Sequence, residues 1–564
     1  MEFKDFLKKS NLTEHQYQVD GVEWCLKNEK EGNTVCEKNT IRGGFLCDDM
    51  GLGKTIQMLG VILENFQLKT LIVLPLALVK QWERVIKKLV GHQPLIFHGE
   101  NKKEITLEKL KQSAIVLTTY GQLNYKIKTS ALLRQVKWFR VIFDEAHHMR
   151  NEKTSVFKGA LGLSANIRWL VTGTPIQNKI DDFYNLASLL GVPSIYSQNE
   201  SNLENFISRF MLRRTKESVG LKIPKKIEEV IHTTWENASE NSYSLSVHNE
   251  TKNSCIDDAL EIKWLLQRFI RERQTCISAS LMKDKIVPFV EKIKSKSSEC
   301  SICLENIDLN ISTEDNATED NSDESNMMSP RRLKLCNHIF HKKCIEQWFS
   351  YEKTNCPYCR EPATKYQLTT VEMNVIEEAM KCENSSKIRA VVKTLNERKG
   401  NGNSKIVFCH YKGEMDMIKN TLLRMDQETQ TSSSSSLLSS SSYNIKIIDG
   451  RCSQKERNKI LENEEKKETI ILIQIQTGCE GLNLQWCNEV YFVSPHWNPS
   501  VEDQAVARCH RMGQEKSVYV FRYIMKMKCE DSKKGNKYTL DDFCVEKQKI
   551  KRELMREIND IAEM

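Results

Sequence analysis

The chain has 564 residues, a net charge of +8 and nineteen cysteines. That length predicts roughly three to four domains, each able to bury its own core. No apolar run is long enough to span a bilayer, and the first residues, MEFKDFLKKSNLTEHQ, lack the apolar stretch of a signal peptide, so a soluble intracellular chain without a membrane partner is expected. In a reducing compartment clustered cysteines point to metal rather than disulfides. The mild positive charge permits a basic track for nucleic acid without establishing one.

Leu12 to Leu26 has helical spacing in Val19, Val22 and Leu26, with Trp24 beside it. An ordinary amphipathic helix accounts for these apolar residues but not for Gln18, whose amide both donates and accepts hydrogen bonds. Residues 41–55, IRGGFLCDDMGLGKT, then lead through an apolar run into a glycine-rich turn closing on Lys54 and Thr55. Gly51 and Gly53 let the backbone N–H groups of Asp48, Asp49, Met50 and Leu52 curl toward phosphate. Lys54 reaches the terminal phosphates, Thr55 holds Mg²⁺, and a helix beginning here turns its positive end to the anion. Asp48 stands where such loops carry their first glycine.

The runs 69–78, 113–120, 139–147 and 167–175 are strand-length, β-branched and separated by helix-forming segments, which predicts a doubly wound parallel sheet with ligands at the strands' carboxyl ends. The third ends in DEAH. Asp144 emerges at a strand end, placed to hold Mg²⁺, and Glu145 is placed to orient and deprotonate water; isolated, such a pair would equally suit a buried structural role. TGTPIQN ends the fourth run and carries polar groups suited to sensing a γ-phosphate. In FMLRRTK (210–216), Arg213 and Arg214 read equally well as a solvated basic face or as phosphate contacts. Residues 236–295 read as helical and polar.

Cys300-x-x-Cys303, Cys336-x-His338, His341-x-x-Cys344 and Cys356-x-x-Cys359 supply eight ligands, enough for two closed tetrahedral zinc sites. Zinc would supply most of this module's folding energy, on the order of 10 kcal/mol per site. Buried thiols explain most of the remaining cysteines. The order and spacing resemble a RING finger. That resemblance implies one zinc on Cys300, Cys303, His341 and Cys344 and another on Cys336, His338, Cys356 and Cys359. It also implies contact with a ubiquitin-conjugating enzyme through Ile302, Trp348 and Pro357, with Arg360 clamping ubiquitin; a RING used only for docking is the alternative. The loop 304–329 has eight acids and no base, and is expected to be disordered.

A second set of strand-length runs (405–411, 444–450, 469–478, 489–495 and 517–524) predicts a second α/β lobe, with the serine tract 431–442 as a flexible loop. Arg508 and Arg511, three apart, would share one helical face and cross a cleft to a γ-phosphate; Gln504, Gln514 and the glycines of GCEGLNL accompany them. From Leu540, helical spacing places Phe543, Ile550, Leu554, Ile558 and Ile561 on one face against the lobe.

DDMGLGKT, DEAH, TGTPIQN, FMLRRTK, GCEGLNL, SPHWNPSVEDQ and ARCHRMGQ, in that order, resemble the SWI/SNF family of superfamily-two helicase-like ATPases over nearly the whole chain. A RING between the lobes narrows the resemblance to the postreplication-repair branch, whose members combine a DNA translocase with a ubiquitin ligase. The resemblance implies two RecA-like doubly wound α/β lobes with an inserted zinc-binding RING domain: lobe one at 1–235, a helical extension at 236–296, the RING at 297–363 and lobe two at 364–564. It implies ATP, Mg²⁺ and two Zn²⁺ as cofactors, Gln18 on adenine, and Arg508 and Arg511 completing the site on lobe closure. The implied partners are double-stranded DNA, a ubiquitin-conjugating enzyme and ubiquitin. An RNA helicase and a DNA-docked scaffold without ligase activity are the alternatives. The expected location is the nucleus in a cell, or the cytoplasm for a large DNA virus. Cys47 and Asp49 replace the family's usual Ala and Glu, and the branch's N-terminal DNA-end-binding domain is expected to be missing.

Overall fold

The computed structural model describes residues 2–563 apart from 37–38, 177–179, 194–199, 250–268, 283–298, 308–328, 334–337, 366–367, 371–378, 380–384, 433–442, 454–455, 458, 461–467, 479–481, 483 and 529–537. The expectations for Gln177 and Asn178, for Cys336, for most of the acidic loop and the serine tract, for much of GCEGLNL and for over half of 236–296 therefore lie outside the described residues.

After a short antiparallel hairpin, β1 (Asn33–Cys36) and β2 (Asn39–Ile41), seven strands form the first lobe: β3 (Gly43–Leu46), β4 (Thr70–Leu74), β5 (Leu95–Phe97), β6 (Ile115–Thr119), β7 (Lys137–Asp144), β8 (Ser164–Val171) and β9 (Met211–Leu212). They pair in parallel in the order β5-β6-β4-β7-β8-β3-β9. Successive strand residues point to opposite faces, and both faces are covered. Leu71, Val73, Val116, Val141 and Phe143 enter one core, while Ile72, Leu74, Leu117, Ile142 and Trp169 enter the other. This two-sided burial is why the runs read as continuously apolar.

The helix Gln16–Lys30 lies on the second core through Val19, Val22 and Leu26. Its fully buried Glu29 accepts from Arg140 Nε and Nη2 at 2.5 Å and from Trp169 Nε1 at 2.8 Å, which fastens the helix to β7 and β8 and fixes where Gln18 stands.

The second lobe begins earlier than the sequence suggests. β10 (Lys226–Thr234) pairs in parallel with the lobe's last strand, so the first lobe ends well before 235. Next come the RING strands β11 (Pro330–Leu333), β12 (Ile339–His341) and β13 (Leu368–Thr370), an antiparallel sheet with β11 in the middle. β14 (Ser404–Cys409), β15 (Ile445–Ile448), β16 (Ile470–Gln474), β17 (Cys487–Phe492) and β18 (Val518–Lys526) complete a parallel sheet in the order β10-β18-β17-β14-β16-β15. Ile406, Phe408 and Ile471 face one core, and Val407, Cys409 and Leu472 the other. The RING is thus an insertion within the second lobe, after its edge strand, rather than between the lobes. The two stems of the insertion touch, Ser385 Oγ donating to the Ile277 carbonyl at 2.7 Å.

The final helix, Leu540–Glu563, buries a different face from the one expected. Leu540, Asp541, Cys544 and Gln548 turn inward, while Phe543 and Ile550 are 37% and 52% exposed. Polar anchors decide the rotation: Thr539 caps the first turn with Asp542, and Asp541 takes the buried Lys387 ammonium. Farther along, Gln548 Nε2 donates to Glu502 at 2.7 Å, Arg552 pairs with Asp503 at 3.0 Å, and Leu554 packs on the first lobe's core. The helix therefore rests on both lobes.

Candidate functional site

The glycine loop runs from the end of β3 into the helix Lys54–Glu64, with Gly51 at φ +98° and Gly53 at φ +82°, a region that favours glycine. A Cβ at Gly53 would lie 2.4 Å from Gln18 Nε2, so a larger residue there would have to displace the amide. A cavity of about 480 Å³ opens there, lined by Gln18, Met50, Gly51, Gly53, Lys54 and Thr55, by Asp144 and Glu145, and from the second lobe by Arg508 and Arg511. Gln18 Nε2 donates to the Leu52 carbonyl at 3.0 Å, and Lys54 Nζ to that of Asp48 at 2.7 Å.

Asp48, Asp49 and Leu52 do not line the cavity. Asp48, in the glycine's place, is a fully buried carboxylate. Arg214 Nε donates to it at 3.0 Å, Arg214 Nη2 at 2.5 Å and Gln57 Nε2 at 2.9 Å. Arg213 donates to the carbonyls of Cys47 (3.0 Å) and Gly173 (3.2 Å) and to Asp49 at 3.4 Å. Both arginines thus clamp the loop from behind, and neither a solvated face nor a phosphate contact describes them. Nothing local in the sequence marks this role, because a pair of arginines looks the same in any of the three.

At the end of β7, Asp144 accepts from Trp82 Nε1 at 2.7 Å and from the Glu145 N–H at 3.1 Å. Burial pushes its carboxyl up to about 7, the Glu145 charge adds to this, and the Trp82 bond opposes it. Such a group sheds its proton when a cation arrives. Glu145 sits at φ +52°, an uncommon conformation that turns its side chain into the cleft. Its Oε2 is buried, 3.4 Å from His147 Nδ1, and makes no hydrogen bond among the described residues. His147 Nδ1 lies 3.2 Å from Thr172 Oγ1, linking DEAH to TGTP.

Arg508 and Arg511 do not share a helix. The helix Pro499–Val506, capped by Asn498, ends before them, and tightened turns follow, with Cys509 and His510 N–H groups both returning to Val506. The thiol of Cys509 is buried in the second lobe's core and ties the turn down. Burial, then the neighbouring Arg508, lowers the pKa of Arg511. Gln514 donates to the carbonyls of Gln485, Cys487 and Cys509 at 2.7–3.2 Å, which makes it a brace for the turn. Gln504 is buried and does not line the cavity.

In the RING, the ligand atoms of Cys300, Cys303, His341 and Cys344 lie within 4.8 Å of one another, and so do those of His338, Cys356 and Cys359. Cys303 and His341 Nδ1 are 3.3 Å apart, while His341 Nε2 faces the Asn306 carbonyl at 3.3 Å, which orients the ring toward the thiols. Each Cys-x-x-Cys forms the same knuckle. Leu304 (φ +63°) and Arg360 (φ +60°) return their N–H groups to Cys300 and Cys356. Ile302 and Trp348 are half-buried against the RING core, Pro357 is half-buried, and Arg360 is exposed. The thiol and imidazole sets suit Zn²⁺.

Residues 17–201 match the SNF2-related domain, 386–513 the helicase conserved C-terminal domain and 319–360 the Ring finger domain. The chain is similar to DNA repair protein RAD5 of Debaryomyces hansenii, 26% identical over 86% of this chain and 52% of the relative. It is likewise similar to the Helicase-like transcription factor of Mus musculus, 27% identical over 82% of this chain and 49% of the relative. The chain spans about half the length of these curated relatives. A solved Sulfolobus solfataricus SWI2/SNF2 ATPase core in complex with dsDNA aligns over 97% of this chain and 96% of its own, at 21% identity and a TM-score of 0.35. The chain thus carries an SNF2-related domain, a helicase conserved C-terminal domain and a RING finger in one polypeptide, and is homologous to RAD5 and the helicase-like transcription factor.

Proposed function

We propose that the chain is an ATP-driven translocase on duplex DNA with a RING ubiquitin-ligase module, as the relatives named for DNA repair suggest. The observation that carries the first half is the shared cavity. Lys54, Thr55, Asp144 and Glu145 come to it from one lobe, and Arg508 and Arg511 from the other. Gln18 holds the adenine edge, Lys54 the terminal phosphates, and Thr55 and Asp144 a Mg²⁺. A Mg²⁺ held by these two residues would supply charge neutralisation to the phosphate oxygens. Glu145, whose Oε2 has no hydrogen bond among the described residues, orients the attacking water and takes its proton. The two guanidiniums stabilise charge as it develops, a contribution of about 10³–10⁵ in rate in other phosphoryl-transfer sites. DNA bound across both lobes would set how often they meet.

In the RING, two Zn²⁺ on the two ligand sets would hold the knuckles, with Cys336 completing the second. Ile302, Trp348 and Pro357 would receive a conjugating enzyme and Arg360 would clamp ubiquitin. A cellular chain of this kind would work in the nucleus. The test is ATP turnover against duplex DNA, single-stranded DNA and RNA over a salt series. Duplex DNA should stimulate most, and stimulation should fall as salt displaces phosphate contacts. Stronger stimulation by RNA would select the RNA-helicase reading.

A further inference from the structure

The segment beyond β9 continues alongside the glycine loop. The Cys47 N–H donates to the Leu212 carbonyl at 2.7 Å, the Asp49 N–H to that of Arg214 at 2.9 Å, and the Lys216 N–H to Asp49 Oδ2 at 3.4 Å. Arg213 and Arg214 turn back toward the loop, but Lys216 reaches the other way. Its Nζ donates to the His510 carbonyl of the second lobe at 3.0 Å, in the turn between Arg508 and Arg511. The same turn is held again where His510 Nε2 meets the Pro224 carbonyl at 2.8 Å. A Cβ placed on Gly51 would lie 3.3 Å from Arg511 Cβ and 3.8 Å from Lys216 Cε, so loop, lysine and arginine converge at one point.

We propose that Lys216 is a positioning residue for the arginine turn. The short segment 213–216 registers the two half-sites against each other, its arginines fixing the glycine loop and its lysine fixing the turn that carries Arg508 and Arg511. An ammonium suits this task, being a compact charge with three donors; burial lowers the pKa of Lys216, and the Asp49 charge opposes that shift. Lys216 does not line the cavity, so it acts through the turn rather than on the nucleotide. The inference rests on the cleft being the site of ATP hydrolysis.

The test uses the full chain with Lys216→Met, which keeps the methylenes beside Gly51, and Lys216→Arg. Loss of one charge-assisted hydrogen bond made only with the lobes together should lower kcat about ten- to a hundredfold. KM for ATP should stay within about twofold, because ground-state contacts are intact. Lys216→Arg should recover most of the rate. Independently of turnover, amide exchange over 508–513 should quicken in Lys216→Met while 48–56 stays protected. Unchanged kcat, or unchanged exchange over 508–513, overturns the inference. A wild-type chain that hydrolyses no ATP with any polymer overturns the functional reading instead, and the exchange comparison still decides whether Lys216 holds the turn.

Discussion

The clearest physical test lies in the carboxylate that replaces a glycine. Asp48 is fully buried and Arg214 is its only cationic hydrogen-bond donor among the described residues, with Gln57 the other donor. Arg214→Gln would leave a buried charge with one neutral donor. Breaking such pairs costs about 3–5 kcal/mol, and the retained Gln57 bond argues for about 3. Asp48→Asn leaves Arg214 its bonds to the Tyr17 carbonyl and Gln57 Oε1, so about 1–2 kcal/mol is expected. The double variant removes both charges together. Its loss should fall short of the sum by about 2 kcal/mol. Urea unfolding followed by tryptophan fluorescence, to which the buried Trp82, Trp138 and Trp169 of the first lobe contribute, reads the loss, and a fluorescent ATP analogue reads the loop. Additivity within about 0.5 kcal/mol would refute the clamp.

Lys54→Ala and Glu145→Gln should each cut ATP hydrolysis by about 10²-fold or more, with Glu145→Gln still binding ATP; a rate above about a tenth of wild type in either would remove the assignment. Ile302→Ala should weaken docking of a conjugating enzyme, and Arg360→Ala, which keeps a Cβ at the same backbone angle, should spare docking and slow ubiquitin discharge. Both should retain two zincs by metal analysis, whereas wild-type protein with two zincs and no discharge across a panel of such enzymes would favour a scaffold. Chelation at pH 8 should unfold the RING and open Cys300, Cys303, Cys344, Cys356 and Cys359 to alkylation. Cys47, Cys509 and Cys544, whose thiols burial pushes up to about 12, should stay unmodified, as mass mapping would show.

Much of this architecture is legible in the chain because parallel strands covered on both faces read as near-continuous apolar runs, as 71–74 and 470–473 do. What escapes is governed by edges and by polar contacts distant in sequence. β10 reads KIEEVIHTT, a solvent-facing edge strand with no continuous apolar signal, so the boundary between the lobes was misplaced. Run 69–78 joins a strand to a helix that begins at Leu76, and no residue marks the join until Pro75 is read as its cap. Arg508 and Arg511 keep helical spacing beyond the helix's end. Periodicity also favoured Phe543 and Ile550 as the buried face of the last helix, but Asp541 and Asp542 set its rotation. In the cleft, Trp82 behind Asp144 and Arg214 behind Asp48 carry no local motif, since each is defined by a partner far along the chain.

The touching stems at Ile277 and Ser385 make the RING a cassette. A segment that leaves and returns at one hydrogen-bonded point can be lengthened, swapped or lost with little change in the closure entropy of its host, which grows only with the logarithm of loop length. Among the described residues the same geometry ties the stems of the RING to the second lobe, through the strands on either side of the cut. If the lobes shuttle against each other on DNA, the RING travels with the second of them, and its reach along the duplex is measured from those stems. A chain shortened across 278–384 by a brief glycine linker would keep both sheets and all the residues of the cleft, and would be the two lobes relieved of their passenger.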